Sequence, residues 1–204
     1  RGDLGVEMPI EKLPTIQKLI ISKCIQRSRP VIVATQLMDS MINNPSPTRA
    51  EVTDVANAVL DGCDAVMLSG ETSVGRHPQL VVSAMNKIIV EAEKHYGFQT
   101  KRPKPSEKSS TFVSDVVCFN AAKVAEDLKA KAIIGLTVSG YTAFKTSSYR
   151  TNCPIYIFSS ERHILGTLNL VWGVHAYYYD KMTSTDETIE DVANILKENQ
   201  KVKK

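Results

Sequence analysis

Residues 30–72 read PVIVATQLMDSMINNPSPTRAEVTDVANAVLDGCDAVMLSGET. The pattern is strand, loop, helix, strand, loop. Residues 31–34 form a short apolar run rich in β-branched side chains, which suits a buried strand that ends where polarity begins at Thr35-Gln36. Pro45 and Pro47 punctuate a loop. Thr48 and Glu51 then stand at capping-box spacing, with Arg49-Ala50 opening a helix. Val52, Val55, Ala56, Val59 and Leu60 recur at helical spacing as its predicted inner face, and Gly62 stands where a C-terminal glycine cap belongs. Residues 65–68, AVML, form a second buried strand that runs into Ser69-Gly70-Glu71-Thr72.

Two apolar strands joined through a helix make a βαβ crossover, so the strands are expected to be parallel with helices covering the sheet. Both strands deliver polar groups just beyond their carboxyl ends: Thr35 after the first, Ser69 and Glu71 after the second. Ligands of parallel α/β folds bind at that edge.

The same alternation continues outward. Residues 1–8, RGDLGVEM, hold Asp3 between Gly2 and Gly5 and read as a tight loop. Residues 10–27 read as an amphipathic helix with Leu13, Ile16, Gln17, Ile20 and Ile21 on one face and Pro14 near its first turn. A third helix is expected over 79–96, with Val81, Val82, Met85, Ile88, Ile89 and Ala92 inward and Gly97 at its end. Residues 98–110, FQTKRPKPSEKSS, change character to prolines, charges and hydroxyls, and mark an exposed linker between two domains. Beyond it a helix spans 113–128, with Val117, Ala121, Val124 and Leu128 inward. Strands follow at 132–136, 154–158 and 174–178. Helices follow from the 137–143 loop to about Tyr149, at 161–168 and at 185–199, the last with Ile189, Val192 and Leu196 inward. The predicted layout is 1–97, 98–112 as linker, and 113–204.

The 204 residues are 43% hydrophobic, which suits an ordinary globular core. A net charge of +3 is too mild to argue for nucleic acid, and the basic clusters at 101–108 and 201–204 read as solvated linker and tail. The run Tyr177-Tyr178-Tyr179 and Trp172 read as packing rather than a base-stacking platform. No apolar run approaches the roughly 20 residues of a membrane span, and no secretory signal is seen. Cys24, Cys63, Cys118 and Cys153 lie far apart without a CxxC pair, as expected of reduced thiols, and His77, His95, His163 and His175 lack metal-ligand spacing.

Two clusters carry candidate chemistry. Asp3, Thr35, Ser69 and Glu71 gather at strand ends. A carboxylate in a glycine-bracketed turn suits a hard cation such as Mg²⁺ or Mn²⁺, and the Gly2 and Asp3 amides suit an anionic carboxylate or phosphate. The same set is equally compatible with structural capping. Residues 137–143, TVSGYTA, run from a strand into a helix and offer hydroxyls and a helix N-terminus to a phosphate, although no P-loop lysine follows. On spacing alone this is an ordinary βα turn.

The segments RGDLGVE, VIVATQLMDSM, PTRAEVTDVANAVLDG and DAVMLSGET resemble the second half of the catalytic barrel of the pyruvate kinase family, almost continuously over residues 1–96. KAIIGLTVSGYTA and SSYRTNCPI, within 113–180, resemble that family's C-terminal domain more loosely. Leu37-Met38 reverses the family's usual Met-Leu. The resemblance implies part of a (β/α)₈ TIM barrel followed by a separate three-layer α/β regulatory domain, incomplete at both ends. It also implies phosphoryl transfer from phosphoenolpyruvate to ADP, giving pyruvate and ATP, with Mg²⁺ (or Mn²⁺) and K⁺, in a cytoplasmic homo-oligomer, by family a tetramer.

Carried over residue by residue, Asp3 is a divalent-metal ligand, and the Gly2 and Asp3 backbone holds the substrate carboxylate. Thr35 lies beside the carbon that gains a proton, with Ser69 and Glu71 on the water-linked proton path. Thr137, Ser139, Gly140 and Thr142 match the phosphate loop for a regulatory sugar phosphate or nucleotide. The family's phosphoryl-stabilising lysine and first metal-binding glutamate precede RGD, and its potassium and ADP contacts lie earlier still. The chain alone is therefore expected to be an internal fragment without kinase activity. The rival expectation is a non-catalytic regulatory module that binds a phosphorylated ligand, without nucleic acid or membrane partners.

Overall fold

A computed structural model describes residues 1–94, 104–181 and 184–199. His95, Gly97, residues 98–103 of the linker and the basic tail at 201–204 lie outside them. The chain forms two compact units, Arg1–Lys101 and Arg102–Lys204.

In the first unit, β1 (Ile32–Ala34) and β2 (Ala65–Met67) pair in parallel, with Ile32 opposite Ala65 and Ala34 opposite Met67. Between them runs α3 (Arg49–Leu60). Thr48 caps it through the expected box: its hydroxyl accepts from the Glu51 amide at 3.3 Å while the Glu51 carboxylate accepts from the Thr48 amide at 2.7 Å. Gly62 ends it at φ +91°, a left-handed backbone that suits glycine.

Helices α2 (Leu13–Gln26), α3 and α5 (Pro78–Lys94) cover one face of this pair. Ile21, Ile25, Val33, Val55, Ala58, Val81 and Met85 make the core with Leu37, Met38 and Met41 from the loop after β1. The expectation of helices covering the sheet holds for that face only. Ile32 remains 45% exposed and Met67 42% on the other. Three inward assignments also fail: Val52 and Leu60 of α3 and Val82 of α5 are exposed, while Ala58, which the periodicity missed, is fully buried. A small side chain lets α3 approach the core where a leucine would hold it off.

Residues 1–8 are not the expected tight loop. Gly2–Val6 form one turn of helix, α1, with the Gly5 amide donating to the Arg1 carbonyl at 2.9 Å. The helix expected from residue 10 opens as a 3₁₀ turn at Ile10–Lys12 before α2 begins, placing Pro14 in the first turn, where its missing N–H costs nothing. After β2, a short helix α4 (Gly70–Ser73) stands where the sequence reads as a loop.

The second unit is a three-stranded parallel sheet of β3 (Ile133–Leu136), β4 (Ile155–Ser159) and β5 (Val174–Tyr178), in that order. Helices lie on both faces, so every residue of the central strand is buried. Ile155 and Ile157 pack with Ala143 of α7 (Tyr141–Ser148) and Leu168 of α8 (Arg162–Leu168). Tyr156 and Phe158 pack with Tyr179 and with Val192 and Leu196 of α9 (Thr185–Glu198). Tyr177 and Tyr179 of the aromatic run pack as read from the sequence, the Phe158 and Tyr177 rings stacking at 5.4 Å and Phe158 meeting Tyr179 edge-on at 6.0 Å, while Tyr178 faces out beneath the Arg162 guanidinium.

Helix α6 (Phe112–Asp127) turns the opposite face inward from the one expected. Cys118, Ala122 and Ala125 are buried, and Cys118 and Ala122 pack on Tyr149. Val117, Val124 and Leu128 face out, with Leu128 74% exposed. The helix is apolar nearly all round, so periodicity could not choose its face; the small side chains won because they fit against Tyr149. In α9, Thr188 is buried while Ile189, expected inward, is 57% exposed.

Candidate active site and phosphate loop

The parallel register of β1 and β2 brings Thr35 and Ser69 out at one sheet edge. The first turn of α1 lies against that edge. The Gly2 amide donates to the Thr35 hydroxyl at 2.9 Å, and this hydroxyl in turn donates to the Ala34 carbonyl at 2.6 Å. A Cβ on Gly2 would lie 3.2 Å from Thr35 Oγ1, so the approach is one glycine allows. Gly2 and Thr35, separated by most of a helix and a strand in sequence, are thus in direct contact.

Asp3 stands in the first turn of α1 with its side chain exposed, and no described residue bonds its carboxylate. Among the described residues there is no group of three or more His, Cys, Asp or Glu side chains placed to hold a metal. A free hard-oxygen donor fits Mg²⁺ or Mn²⁺ as one ligand, the remainder coming from substrate, water or groups outside these residues.

Ser69 is exposed at the end of β2. Glu71 differs sharply: it is 1% exposed. Its Oε2 accepts from the Ser69 amide at 2.8 Å and its Oε1 from the Met38 amide at 3.3 Å. Burial pushes its pKa up, but the amides of Glu71 itself, Ser69, Met38 and Leu37 more than offset this and hold it below the ordinary carboxylate value. Glu71 is therefore an ionised brace between the two strand-end loops.

Sequence reasoning missed a second brace. The Arg1 guanidinium donates to the Thr35 carbonyl from Nε at 3.3 Å and from Nη2 at 3.1 Å, and to the Gln36 carbonyl at 2.5 Å. Nη1 pairs with Asp54 on α3. Nothing local in the sequence signals a pair 53 positions apart. Ser40 is a similar case. Its amide and hydroxyl both donate to Glu51, at 2.7 and 2.6 Å, so the capping carboxylate also ties down the loop after β1.

In the other unit, residues 137–142 form the turn from β3 into α7. The Gly140 amide donates to the Thr137 hydroxyl at 3.0 Å and the Tyr141 amide to the Ser139 hydroxyl at 3.4 Å. Gly140 sits at φ +80°. The Thr142 hydroxyl is buried and has no hydrogen-bond partner among the described residues. An open cavity of about 320 Å³ adjoins this turn at the carboxyl ends of the three strands, lined by Thr137, Ser159, Ser160, Asp180 and Lys181 among others. Tyr141 anchors the turn to α6. Its hydroxyl bonds the buried Asp115 and, at 2.8 Å, Thr111, while Lys145 lies 3.4 Å from the same carboxylate.

A parallel βαβ unit with polar groups at its carboxyl edge, and a second parallel sheet covered on both faces, define an α/β protein of two units. The family described as pyruvate kinase, barrel domain, matches residues 1–82, and that described as pyruvate kinase, alpha/beta domain, matches residues 115–204. The chain belongs to the pyruvate kinase family. It is 46% identical over 191 residues to pyruvate kinase of Clostridium acetobutylicum, covering 93% of this chain and 40% of that protein. It is 43% identical over 190 residues to that of Geobacillus stearothermophilus, covering 93% of this chain and 32% of that protein. The crystal structure of a pyruvate kinase from Cryptosporidium parvum superposes on the whole chain with a TM-score of 0.91 at 37% identity, over 42% of its own length. The chain thus spans between about a third and two fifths of these relatives. The first unit is part of a (β/α)₈ barrel and the second an α/β domain.

Proposed function

We propose that this chain supplies part of the active site of a phosphotransferase that moves a phosphoryl group from phosphoenolpyruvate to ADP, giving pyruvate and ATP. In this reading, 1–97 form the second half of the barrel, 98–112 the linker and 113–204 the regulatory domain. The observation that carries it is the contact between the Gly2 amide and the Thr35 hydroxyl at the sheet edge. A substrate carboxylate that accepts from the Gly2 and Asp3 amides displaces Thr35 Oγ1 from Gly2. The freed hydroxyl then stands beside the substrate carbon that gains a proton once phosphoryl has left. Ser69, exposed at the neighbouring strand end, lines the water-linked route for that proton. Glu71 serves by holding the Ser69 and Met38 amides in place.

Asp3 supplies one oxygen to Mg²⁺ or Mn²⁺, which when bound neutralises charge on the phosphoryl oxygens. K⁺ and the nucleotide are held by residues beyond this chain. Thr137, Ser139, Gly140 and Thr142 bind the phosphate of a regulatory ligand, supported by the unpartnered Thr142 hydroxyl and the adjoining cavity. The enzyme acts in glycolysis in the cytoplasm as a homo-oligomer, a tetramer by analogy with its family. No described helix is long and apolar enough to cross a membrane.

The test has two arms. The purified 204-residue chain shows no turnover with phosphoenolpyruvate, ADP, Mg²⁺ and K⁺; measurable turnover overturns the assignment of essential catalytic groups to residues beyond this chain. In the full-length enzyme that carries this sequence, Thr35→Val lowers kcat by roughly 100-fold or more, as loss of a proton-transfer group does, while Thr35→Ser retains most of it. An unchanged kcat in Thr35→Val removes Thr35 from the reaction.

A further inference from the structure

The loop after β1 carries an unusual backbone. Thr35 has φ +70° and Gln36 has φ +51°, so two consecutive residues with Cβ atoms, one of them β-branched, occupy the left-handed region. A β-branched residue there is a genuine outlier and persists only where its surroundings over-determine it. The surroundings are specific. One face of the Arg1 guanidinium fork takes the Thr35 and Gln36 carbonyls together. Such a planar, five-donor group can bridge two acceptors at fixed spacing, which a lysine ammonium cannot. Asp54 holds the outer edge of the same guanidinium from α3. From the far side of the loop Glu71 holds the Met38 amide.

We propose that Arg1 and Asp54 act as positioning residues: the Asp54 carboxylate aims the Arg1 guanidinium, and that guanidinium locks Thr35 and Gln36 into the left-handed backbone that presents the Thr35 hydroxyl at the sheet edge. Neither residue touches substrate in this role. The inference rests on the reading of Thr35 as the hydroxyl beside the reacting carbon. Without the clamp the backbone at Thr35 and Gln36 relaxes toward ordinary angles and Thr35 leaves its place, while Leu37, Met38 and Met41 stay anchored in the core. For Asp54 the effect falls on the reaction rather than on substrate binding, because Asp54 is on α3 and the Gly2 and Asp3 amides are on α1.

The experiment is a mutant cycle in the full-length enzyme carrying this sequence: Asp54→Asn, Gln36→Gly and the pair, with Arg1→Lys as an independent break and Thr35→Val as the control on the reading beneath. Glycine reaches the left-handed region without a Cβ penalty, so it needs the clamp less. The expected result is a fall in kcat of about tenfold for Asp54→Asn, with KM for phosphoenolpyruvate changed less than twofold. The same substitution costs less than threefold in the Gln36→Gly background. Arg1→Lys falls at least as far as Asp54→Asn. If Thr35→Val is impaired while Asp54→Asn and Arg1→Lys keep full kcat, the clamp is refuted and the Thr35 reading stands. If Asp54→Asn loses the same factor with and without Gln36→Gly, the pair supports the fold generally and the positioning role is refuted. If Thr35→Val is fully active, the underlying reading fails instead.

Discussion

Glu71 shows how one side chain changes meaning between sequence and structure. Read along the chain, Glu71 is a strand-end carboxylate as compatible with chemistry as with structural capping, and the family resemblance alone puts it on a proton path. Folded, it is a buried anion satisfied by main-chain amides. Because its folded pKa lies below the unfolded value, it contributes stability at pH values above the unfolded carboxylate pKa, and that contribution is lost as pH falls through the folded pKa. Glu71→Gln should lower unfolding free energy at pH 7 by about 1.5–3 kcal/mol, the scale of hydrogen bonds to a charged acceptor. It should also flatten the decline in stability as pH falls below the ordinary carboxylate value. Urea unfolding followed by far-UV circular dichroism across that range measures both. A variant as acid-sensitive as the parent contradicts the brace.

At the scale of elements, the loop at 137–142 depends on a single turn. Gly140 at φ +80° closes β3 onto α7, and a Cβ there would lie 3.1 Å from Phe144 and 3.3 Å from Leu168. Gly140→Ala should therefore destabilise the second unit by about 1–2 kcal/mol from the left-handed backbone alone, and more if Phe144 cannot yield. Trp172 is the only tryptophan in the chain and lies in that unit. Its fluorescence in a urea titration reports the shift directly, and an unchanged midpoint would show that the turn tolerates a side chain. In helix α6, where apolar residues surround the helix, the small Cys118 and Ala122 rather than the larger valines mark the side buried against Tyr149, because close approach to a ring is what small side chains permit.

At the scale of the whole molecule, each unit leaves apolar surface open. In the first, one face of the β1–β2 pair is uncovered at Ile32 and Met67. In the second, Val113, Val117, Val124 and Leu128 form an exposed stripe along α6. Contiguous apolar surface of this kind and unpaired strand edges drive association. The isolated 204-residue chain is expected to self-associate at micromolar concentration and to bind a hydrophobic dye. Light scattering coupled to gel filtration would then give a mass well above 22.5 kDa, and a monodisperse monomer would contradict the expectation.

The sequence by itself determined the alternation of strands and helices, the capping box at Thr48 and Glu51, the glycine cap at Gly62 and the strand-end placement of Thr35 and Ser69. These are set by local rules of periodicity, capping and turn chemistry acting over a few residues. It did not determine the margins of the buried face of α3, which face of α6 is buried, the helical turn at Gly2–Val6, the burial of Glu71, or the union of Arg1, Asp54 and the Thr35–Gln36 backbone. Those depend on which distant surfaces meet. Packing density and the need to satisfy buried polar groups decide that only when the chain is folded, so they belong to the tertiary structure alone.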